Sequence, residues 1–420
     1  MEHCQLPLYL LYWNSVAIGV ESGTCATLFP LFGAQTADLD LKKFQAAFLD
    51  AEPLALSDIL HTDSEAETFK KCLIATILRI MTQHGGKDFK RFEKDLEKYQ
   101  PVTNDKIALH RTELHPLPTW DIDESTIIGN AEVDQAIVDE LQLDEIPEAQ
   151  DRVRFQGGDQ LSLARLRALE IIRAGQMDGY HGFFWGAWIP GLFHGKIADT
   201  LGTLMTHWGK PDTGARNPGS LWFHNTRLDR LPIILTSLPS FRVCRDLIFV
   251  SLYARILHCS LLVSENSSLE QYTSKTEKWE TLVLHAEQIY ERFVDVSLVE
   301  DLRWRRKMEQ METSLGTDSG VSRPLDDTTP SPPKTVKEGD MVFENAVLFL
   351  RDALISREFT NAIKAGDSGR VILVLKIWAL SFRGNGRTKY AHEMLHFIHH
   401  ITKIWGGEIT SVDSRIIFCI

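Results

Sequence analysis

The sequence predicts an α+β fold that is predominantly helical and contains a small sheet. Through most of the chain, apolar residues recur at the spacing of one helix face, as at Leu163, Leu166 and Leu169. A few short apolar or alternating runs, bounded by glycine or proline, are typical of strands instead. We expect the sheet to be built from segments near Arg152–Gln156, Gly182–Ile189 and Ser15–Leu31.

The domain organisation follows from length and local composition. A chain of 420 residues exceeds the usual single-domain size. Residues 312–339 are rich in Ser, Thr, Asp and Pro, and such a segment can bury little, so we expect a disordered linker there. We expect a mostly helical region over residues 1–118, a central α/β and helical core over 119–311, and a helical region over 340–420.

Two apolar segments raise the question of membrane targeting. The run Leu6–Trp13 has no preceding Lys or Arg, and Glu2 carries the wrong charge for a signal peptide, so we expect a buried strand or the start of a helix. The segment Phe241–Val263 is apolar nearly all round but is interrupted by charged residues such as Arg242 and Arg255. This pattern predicts a core helix and not a membrane span.

Charge and cysteine usage exclude several classes of protein. The formal net charge of -12 argues against a protein that coats nucleic acid with its whole surface, although a local basic groove stays open. The six cysteines are scattered and include no CxxC pair, which argues against a disulfide framework or a zinc module. We therefore expect reduced thiols and an intracellular location, in the cytoplasm or the nucleus.

The first candidate site is Asp159. It follows Gly157 and Gly158, which we expect to end a short strand, and it precedes a helix. Ligand-binding side chains of α/β folds lie just past strand ends, which favours a functional acid. Asp is also a favoured helix N-cap, so a purely structural role explains the same position. Both interpretations stay open from the sequence.

Two further candidates are weaker. The segment Trp120–Ser125 contains three acids, and Asp121 and Asp123 share a side if it is extended, so Asp123 is a candidate Mg²⁺ ligand. The alternative is a loop that caps the helix expected from Asn130 onward. His194 lies at the start of another expected helix, where it could orient a substrate, bind a metal, or serve as a hydrogen-bonded core histidine.

A basic loop near the C-terminus is the candidate nucleic-acid contact. Arg383, Arg387 and Lys389 surround two glycines immediately before an expected helix. Backbone amides at a helix N-terminus, together with arginines, suit a phosphate group. The alternative is a solvated loop whose bases offset an acidic chain. Glu393 follows in the first turns of the same helix.

Six short motifs occur in a fixed order along the chain. They are Gly158-Asp-Gln-Leu161, Ala164-Arg-Leu-Arg167, Trp188-Ile-Pro-Gly-Leu-Phe-His194, Trp208-Gly-Lys-Pro211, Gly366-Asp-Ser-Gly-Arg370 and Gly386-Arg-Thr-Lys-Tyr-Ala-His-Glu393. As a set they resemble an uncharacterised eukaryotic family, expanded in fungi and described only as a domain of unknown function, over about Phe29 to Trp405.

The resemblance implies transposase-derived proteins with a degenerate ribonuclease-H-like core. It implies that Asp159 is a metal-binding acid, that Glu393 is a late helical acid, and that Mg²⁺ is the cofactor. Relatives usually carry an upstream Asp-Asn-aromatic motif whose Asp serves as the first catalytic acid, and this chain lacks that motif. Residues 406–420 also differ from the segment that follows the last helix in relatives. We therefore expect a truncated or retired copy with Mg²⁺ binding no tighter than millimolar, because two-metal nucleases need several carboxylates.

Two function classes stay open. One is a transposase-derived protein that binds DNA or RNA, with weak or absent nuclease or strand-transfer activity. The other is a non-enzymatic helical scaffold that binds another protein, for which an acidic and helical chain is sufficient. The position of the Arg383–Lys389 loop relative to Asp159 discriminates between them.

Overall fold

The structure is a computed structural model that describes residues 8–14, 23–32, 34–175, 182–212, 217–237, 239–316 and 341–405. The chain divides into two compact units. Unit 1 comprises Met1–Cys72, Pro101–Gly202 and Glu358–Ile420, and unit 2 comprises Leu73–Gln100 and Thr203–Arg357. The domain boundaries expected from the sequence stay predictions.

The fold is predominantly helical with a small sheet, as the sequence predicts. The α-helices are α1 (Leu41–Asp50), α2 (Leu56–Ile59), α3 (Asp63–His84), α4 (Glu93–Tyr99), α5 (Ile127–Leu141), α6 (Pro147–Gln150), α7 (Gln160–Ile172), α8 (Leu192–His207), α9 (Leu221–Arg227), α10 (Phe241–Ser264), α11 (Leu269–Lys275), α12 (Trp279–Phe293), α13 (Ser297–Gly316), α14 (Met341–Ala365), α15 (Ser368–Gly384) and α16 (Thr388–His399). A π-helical turn, His400–Ile404, continues from α16.

The strands of unit 1 form one mixed sheet. They are β1 (Leu8–Asn14), β2 (Thr24–Pro30), β3 (His115–Pro116), β4 (Arg154–Gly158) and β5 (Gly186–Pro190). Their order across the sheet is β3-β2-β1-β4-β5. β2 is antiparallel to both of its neighbours, whereas β1, β4 and β5 are parallel, with Leu11 opposite Gly157 and Gly157 opposite Ile189. The carboxyl ends of these three parallel strands therefore meet at one edge of the sheet.

The strands lie largely where the sequence predicts them. β4 and β5 overlap the two predicted central segments and extend one or two residues past them. β2 falls in the third segment, of which residues 15–22 lie outside the described residues. The run Leu6–Trp13, for which a strand and a helix start were both open, overlaps β1 (Leu8–Asn14). The strand runs two residues past the predicted Gln156, because Gly157 and Gly158 both pair with β5, and it ends at Gly158.

The core of unit 1 is formed between the sheet and the helices that follow its strands. α7 buries Leu163, Leu166 and Leu169, the face that the sequence predicts. α7 packs against α5, β4 and β5, while α16 packs against α7 and β5. The Leu28 side chain of β2 joins a cluster with Val133 of α5. These contacts fix the positions of α7 and α16 at the sheet.

The described part of unit 2 is helical, and α10 packs there against α9, α11 and α12. Among the described residues, α10 alone is long and apolar enough to cross a membrane, a test that core helices also pass. Its buried side chains include Leu247, Leu252 and Ile256. That α10 is a core helix and not a membrane span stays a prediction, and its packing against other helices of unit 2 favours that prediction.

Helix α13 extends into the linker that the sequence predicts over residues 312–339. The backbone of this helix continues to Gly316, so the first residues of the expected linker are helical. Residues 317–339 lie outside the described part of the chain.

Candidate functional site

Asp159 lies at the carboxyl edge of the sheet, directly after β4. It is the N-cap of α7, and its Oδ1 accepts a hydrogen bond from the Ser162 N–H at 2.8 Å. The capping interpretation is therefore confirmed. A cap also fixes the direction of the carboxylate, which lies half-buried at the end of a parallel strand, where α/β folds bind ligands.

The end of β5 brings His194 to the same edge. The Gly191 N–H donates to the Gly158 carbonyl oxygen at 2.8 Å, and α8 begins at the next residue. A Cβ on Gly191 would lie 3.0 Å from that oxygen and 3.3 Å from Cδ2 of His194. Glycine is therefore required for this close approach. His194 is half-buried on the first turn of α8, at the same end of the parallel strands as Asp159.

Glu124, not Asp123, is the acid of its cluster that lies near Asp159. Burial and the negative charge of Asp159 raise the pKa of Glu124. Its carbonyl oxygen accepts from Nη1 of Arg165 on α7 at 2.8 Å, which holds the loop against that helix. Sequence reasoning missed Glu124 as a site residue, because its neighbours Arg165 and Asp159 lie far from it in the sequence, Arg165 by 41 residues.

Asp123 has a local role at the entry to α5. Its carboxylate is exposed and accepts from the Ser125 N–H at 2.9 Å, and hydrogen bonds from Ser125 lower the pKa of Asp123. The N-cap of α5 is Thr126, so the helix begins earlier than the expected start at Asn130. The structure thus assigns Asp123 to a turn.

Tyr390 on the first turn of α16 joins Asp159 and Glu393 in one electrostatic neighbourhood. Burial raises the pKa of Tyr390, and the charges of Asp159 and Glu393 raise it further. The exposed Lys389 directly precedes it. The fold therefore brings Asp159 and Glu393, which are far apart in sequence, to the same side of the sheet. Lys389, at one end of the basic loop, lies on that side as well.

The Glu393 carboxylate is buried and ion-paired. Its side chain is 2% exposed, and both of its oxygens accept from Arg167 of α7, from Nη1 at 2.9 Å and from Nη2. Such a bidentate pair holds both groups in fixed positions. Glu393 therefore faces a protein cation in the folded chain.

The three basic side chains of the loop differ in their exposure to solvent. Arg383, on the last turn of α15, and Lys389 are exposed. Arg387 is half-buried beside α8, with Cδ 3.6 Å from a Cβ position on Gly202, and burial lowers its pKa against the opposing effect of Asp199. The structure thus leaves two bases exposed to a phosphate.

Within the described residues, no group of three or more His, Cys, Asp or Glu side chains is arranged to hold a metal ion. Asp159 and Glu124 are the two carboxylates at the sheet edge that influence each other electrostatically. Mg²⁺ binds to proteins through one or two carboxylates and keeps several waters. Mg²⁺ binding at this edge therefore stays a prediction.

The sequence matches a family described as "Family of unknown function (DUF6589)" over residues 48–413. The chain belongs to this family. No curated protein matches the sequence, and no solved structure does. The predicted resemblance is thereby confirmed as membership in a family of unknown function.

The family match includes the Gly366–Arg370 motif, which forms a buried structural cluster. Asp367 is the N-cap of α15 and accepts from both the N–H and the hydroxyl of Thr103, the N–H at 3.1 Å. Arg370 is 2% exposed and donates from Nε to Oε1 of Glu358 at 2.8 Å, and the Glu358 side chain is fully buried. This motif therefore organises the fold and does not line the sheet edge that carries Asp159.

Proposed function

We propose that this chain is a transposase-derived nucleic-acid-binding protein with a degenerate ribonuclease-H-like core and weak or absent nuclease or strand-transfer activity. The observation that carries the proposal is the mixed sheet of order β3-β2-β1-β4-β5 with Asp159 directly after β4. Ribonuclease-H-like cores have this combination of an antiparallel three-stranded part and two further parallel strands. The Glu393-bearing α16 packs beside α7 and β5, which agrees with the role that the resemblance implies.

The charges at the sheet edge support binding of a phosphate backbone. Arg383 is exposed on the last turn of α15, and Lys389 is exposed on the first turn of α16. Lys389 directly precedes Tyr390, whose pKa is raised in part by the charge of Asp159. Asp159 and Glu124 would hold Mg²⁺, which neutralises phosphate charge when bound. An exposed lysine beside a cation site would let a chain of net charge -12 bind a polyanion locally.

The same geometry supports weak or absent chemistry. Two-metal nucleases clamp a phosphate between ions held by several carboxylates. Here Glu393 pairs with Arg167, and β1 contains neither Asp nor Glu. We therefore propose binding of DNA or RNA as the main activity, inside the cell, with Mg²⁺ held no tighter than millimolar.

The test is fluorescence anisotropy of labelled DNA and RNA, single-stranded and duplex, over a range of salt concentrations. Lys389→Ala should weaken binding and reduce the slope of log affinity against log salt by about 0.7 to 0.9, because one phosphate contact is lost. Lys42→Ala, an exposed lysine on α1, is the matched control and should change neither quantity. Arg387→Ala should instead lower thermal stability, because Arg387 packs against α8. Wild-type protein that binds none of the four probes would overturn the proposal.

A protein-binding scaffold is the second candidate, and one observation in unit 2 favours it. Trp304, Met308 and Met311 follow α13 at spacings of four and three residues, and they are 63%, 37% and 49% exposed. An apolar stripe at this spacing is typical of a helix that binds a partner groove. If this candidate is right, cross-linking in cell extract should give a protein adduct that Trp304→Lys abolishes and that Leu284→Lys, at a 51% exposed position on α12, does not.

A further inference from the structure

Helix α10 of unit 2 exposes one row of side chains along its length. The rest of the helix is covered: it packs against α9, α11 and α12, and Tyr253 stacks on His84 of α3 with the ring centroids 4.3 Å apart. The exposed row has four-residue spacing and consists of Arg242, Asp246, Val250, Ala254, His258 and Leu262. Val250 is 42% exposed and Leu262 is 46% exposed. The solvent face of a helix is normally charged or polar, so these apolar members make the row a candidate contact surface.

The row is complementary to a second copy of itself that runs in the opposite direction. Rows of side chains four residues apart interdigitate in the commonest class of helix packing. In an antiparallel pair with its two-fold axis at the level of Leu252, residues equally far before and after Leu252 lie opposite each other. Val250 then lies opposite Ala254 of the second copy, and Asp246 lies opposite His258. Because the axis is two-fold, each of these contacts occurs twice.

The charges in the row favour this antiparallel pairing. The Asp246 carboxylate accepts from Nε and Nη2 of Arg245 at 2.9 Å and 2.7 Å, and it is still 51% exposed, so it can accept a further hydrogen bond. His258 is exposed and forms no hydrogen bond or ion pair within the described part of the chain. An antiparallel pair gives each His258 a carboxylate acceptor. A parallel pair would instead place the two Asp246 carboxylates opposite each other, and like charges repel.

We propose that α10 forms a two-fold symmetric, antiparallel homodimer through this row. Val250 and Ala254 supply the apolar centre and the Asp246–His258 pairs supply a polar rim, which is the usual anatomy of a protein–protein interface. A membrane surface fits the row less well, because Asp246 and His258 interrupt its apolar members, whereas interfacial helices keep their charges on the opposite face. This interface lies in unit 2 and goes beyond the nucleic-acid binding proposed for the sheet edge of unit 1.

Sedimentation equilibrium of the full chain, from micromolar to submillimolar concentration, measures the dimerisation constant. The wild type should show a monomer–dimer equilibrium. Val250→Glu should weaken dimerisation by about 100-fold or more, because the two-fold axis places two carboxylates in the apolar centre. Ile171→Glu, at a 77% exposed position on α7, is the matched control and should leave the constant unchanged. Thermal melts establish that both variants are folded.

An exchange of charges tests the register of the pair. Asp246→Lys alone and His258→Glu alone should each weaken dimerisation several-fold, because each removes the pairing of acid with base across the axis. The double variant Asp246→Lys, His258→Glu should dimerise more tightly than either single variant, because opposite charges again face each other. A double variant no tighter than the single variants would overturn the antiparallel register.

The remaining outcomes decide whether the row binds a second copy at all. A wild-type chain that stays monomeric at submillimolar concentration overturns the proposal, as does a dimer that Val250→Glu leaves intact. Flotation of monomeric wild type with phosphatidylcholine vesicles, lost in Val250→Glu, would assign the row to a membrane surface and overturn the homodimer. Dimerisation that Val250→Glu abolishes and Ile171→Glu does not supports the proposal.

Discussion

At the scale of single residues, one carboxylate combines a structural and a proposed ligand role. Asp159 caps α7 through Oδ1 and also raises the pKa of Glu124 and Tyr390, so its charge reaches both neighbours. A capping carboxylate at a strand end is held in place by the fold, which is the property that a metal ligand requires. The two roles make different demands on the side chain and can be separated by substitution.

Asp159→Asn should still cap the N-terminus of α7 but should no longer bind Mg²⁺. Asn is nearly equal to Asp as an N-cap, so the melting temperature should change little, whereas Asp159→Ala should cost about 0.5–2 kcal/mol of stability. Calorimetric titration with Mg²⁺ and Mn²⁺ should give wild-type binding no tighter than millimolar and none in Asp159→Asn. Asp123→Asn is the control and should bind as the wild type does. If Asp159→Asn binds the metal as tightly as the wild type does, Asp159 serves only as a helix cap.

Glu170, on α7 one turn beyond Arg167, predicts a pH dependence of stability. Burial raises the pKa of Glu170 to about 7, although the charge of Arg167 opposes this rise. A carboxyl whose folded pKa is raised contributes stability that is complete below about pH 4.5 and lost as pH rises through 7. Glu170→Gln should therefore gain stability relative to wild type between pH 5 and 8, on the order of 2 kcal/mol.

Chemical denaturation of wild type and Glu170→Gln at pH 5, 6, 7 and 8 measures this difference. Glu300→Gln, an exposed glutamate on α13, controls for the removal of a charge. A difference between Glu170→Gln and wild type that is constant across these pH values would show that Glu170 ionises freely in the folded chain.

At the scale of elements, the start of α15 is held by a buried ionic cluster. Gly369 has Thr103 Oγ1 only 2.4 Å from its Cβ position, Asp367 caps the helix, and Arg370 pairs with Glu358 of α14. A buried guanidinium needs its carboxylate, since removal of one partner leaves an uncompensated charge in the core. The motif is therefore explained by packing and not by catalysis.

Glu358→Gln should destabilise the chain by about 3–5 kcal/mol, because it leaves the Arg370 charge buried without its partner. Urea unfolding provides the measurement, and Glu67→Gln, on the exposed face of α3, is the control. The double variant Arg370→Met, Glu358→Gln should lose less than the two single losses added together. A cost below about 1 kcal/mol for Glu358→Gln would show that the pair is not essential to the core.

The sequence predicts the elements that have strong local patterns, and it misses those that depend on distant contacts. β4, the cap at Asp159 and the buried face of α7 follow from alternation, glycines and helical spacing. β3 is two residues long and pairs only with β2, so no periodicity could reveal it. The Arg167–Glu393 pair joins residues 226 apart, and Glu124 is held against Arg165 of α7, 41 residues away.

At the scale of the whole molecule, the account places nucleic-acid binding at one edge of one sheet. The chain is acidic overall, so the proposed binding depends on locally exposed bases such as Lys389 and not on net charge. Membership in a family of unknown function assigns no activity by itself. The location of a bound strand is therefore the property that separates this account from a scaffold that uses α13.

Photo-cross-linking of a 4-thiothymidine oligonucleotide, followed by mass spectrometry of the cross-linked peptides, locates the bound strand directly. We expect adducts on the segments that contain His194 and Tyr390, at yields that fall in Lys389→Ala and stay unchanged in Lys42→Ala. Adducts confined to unit 2, or adducts at the sheet edge that are indifferent to Lys389→Ala, would contradict this expectation.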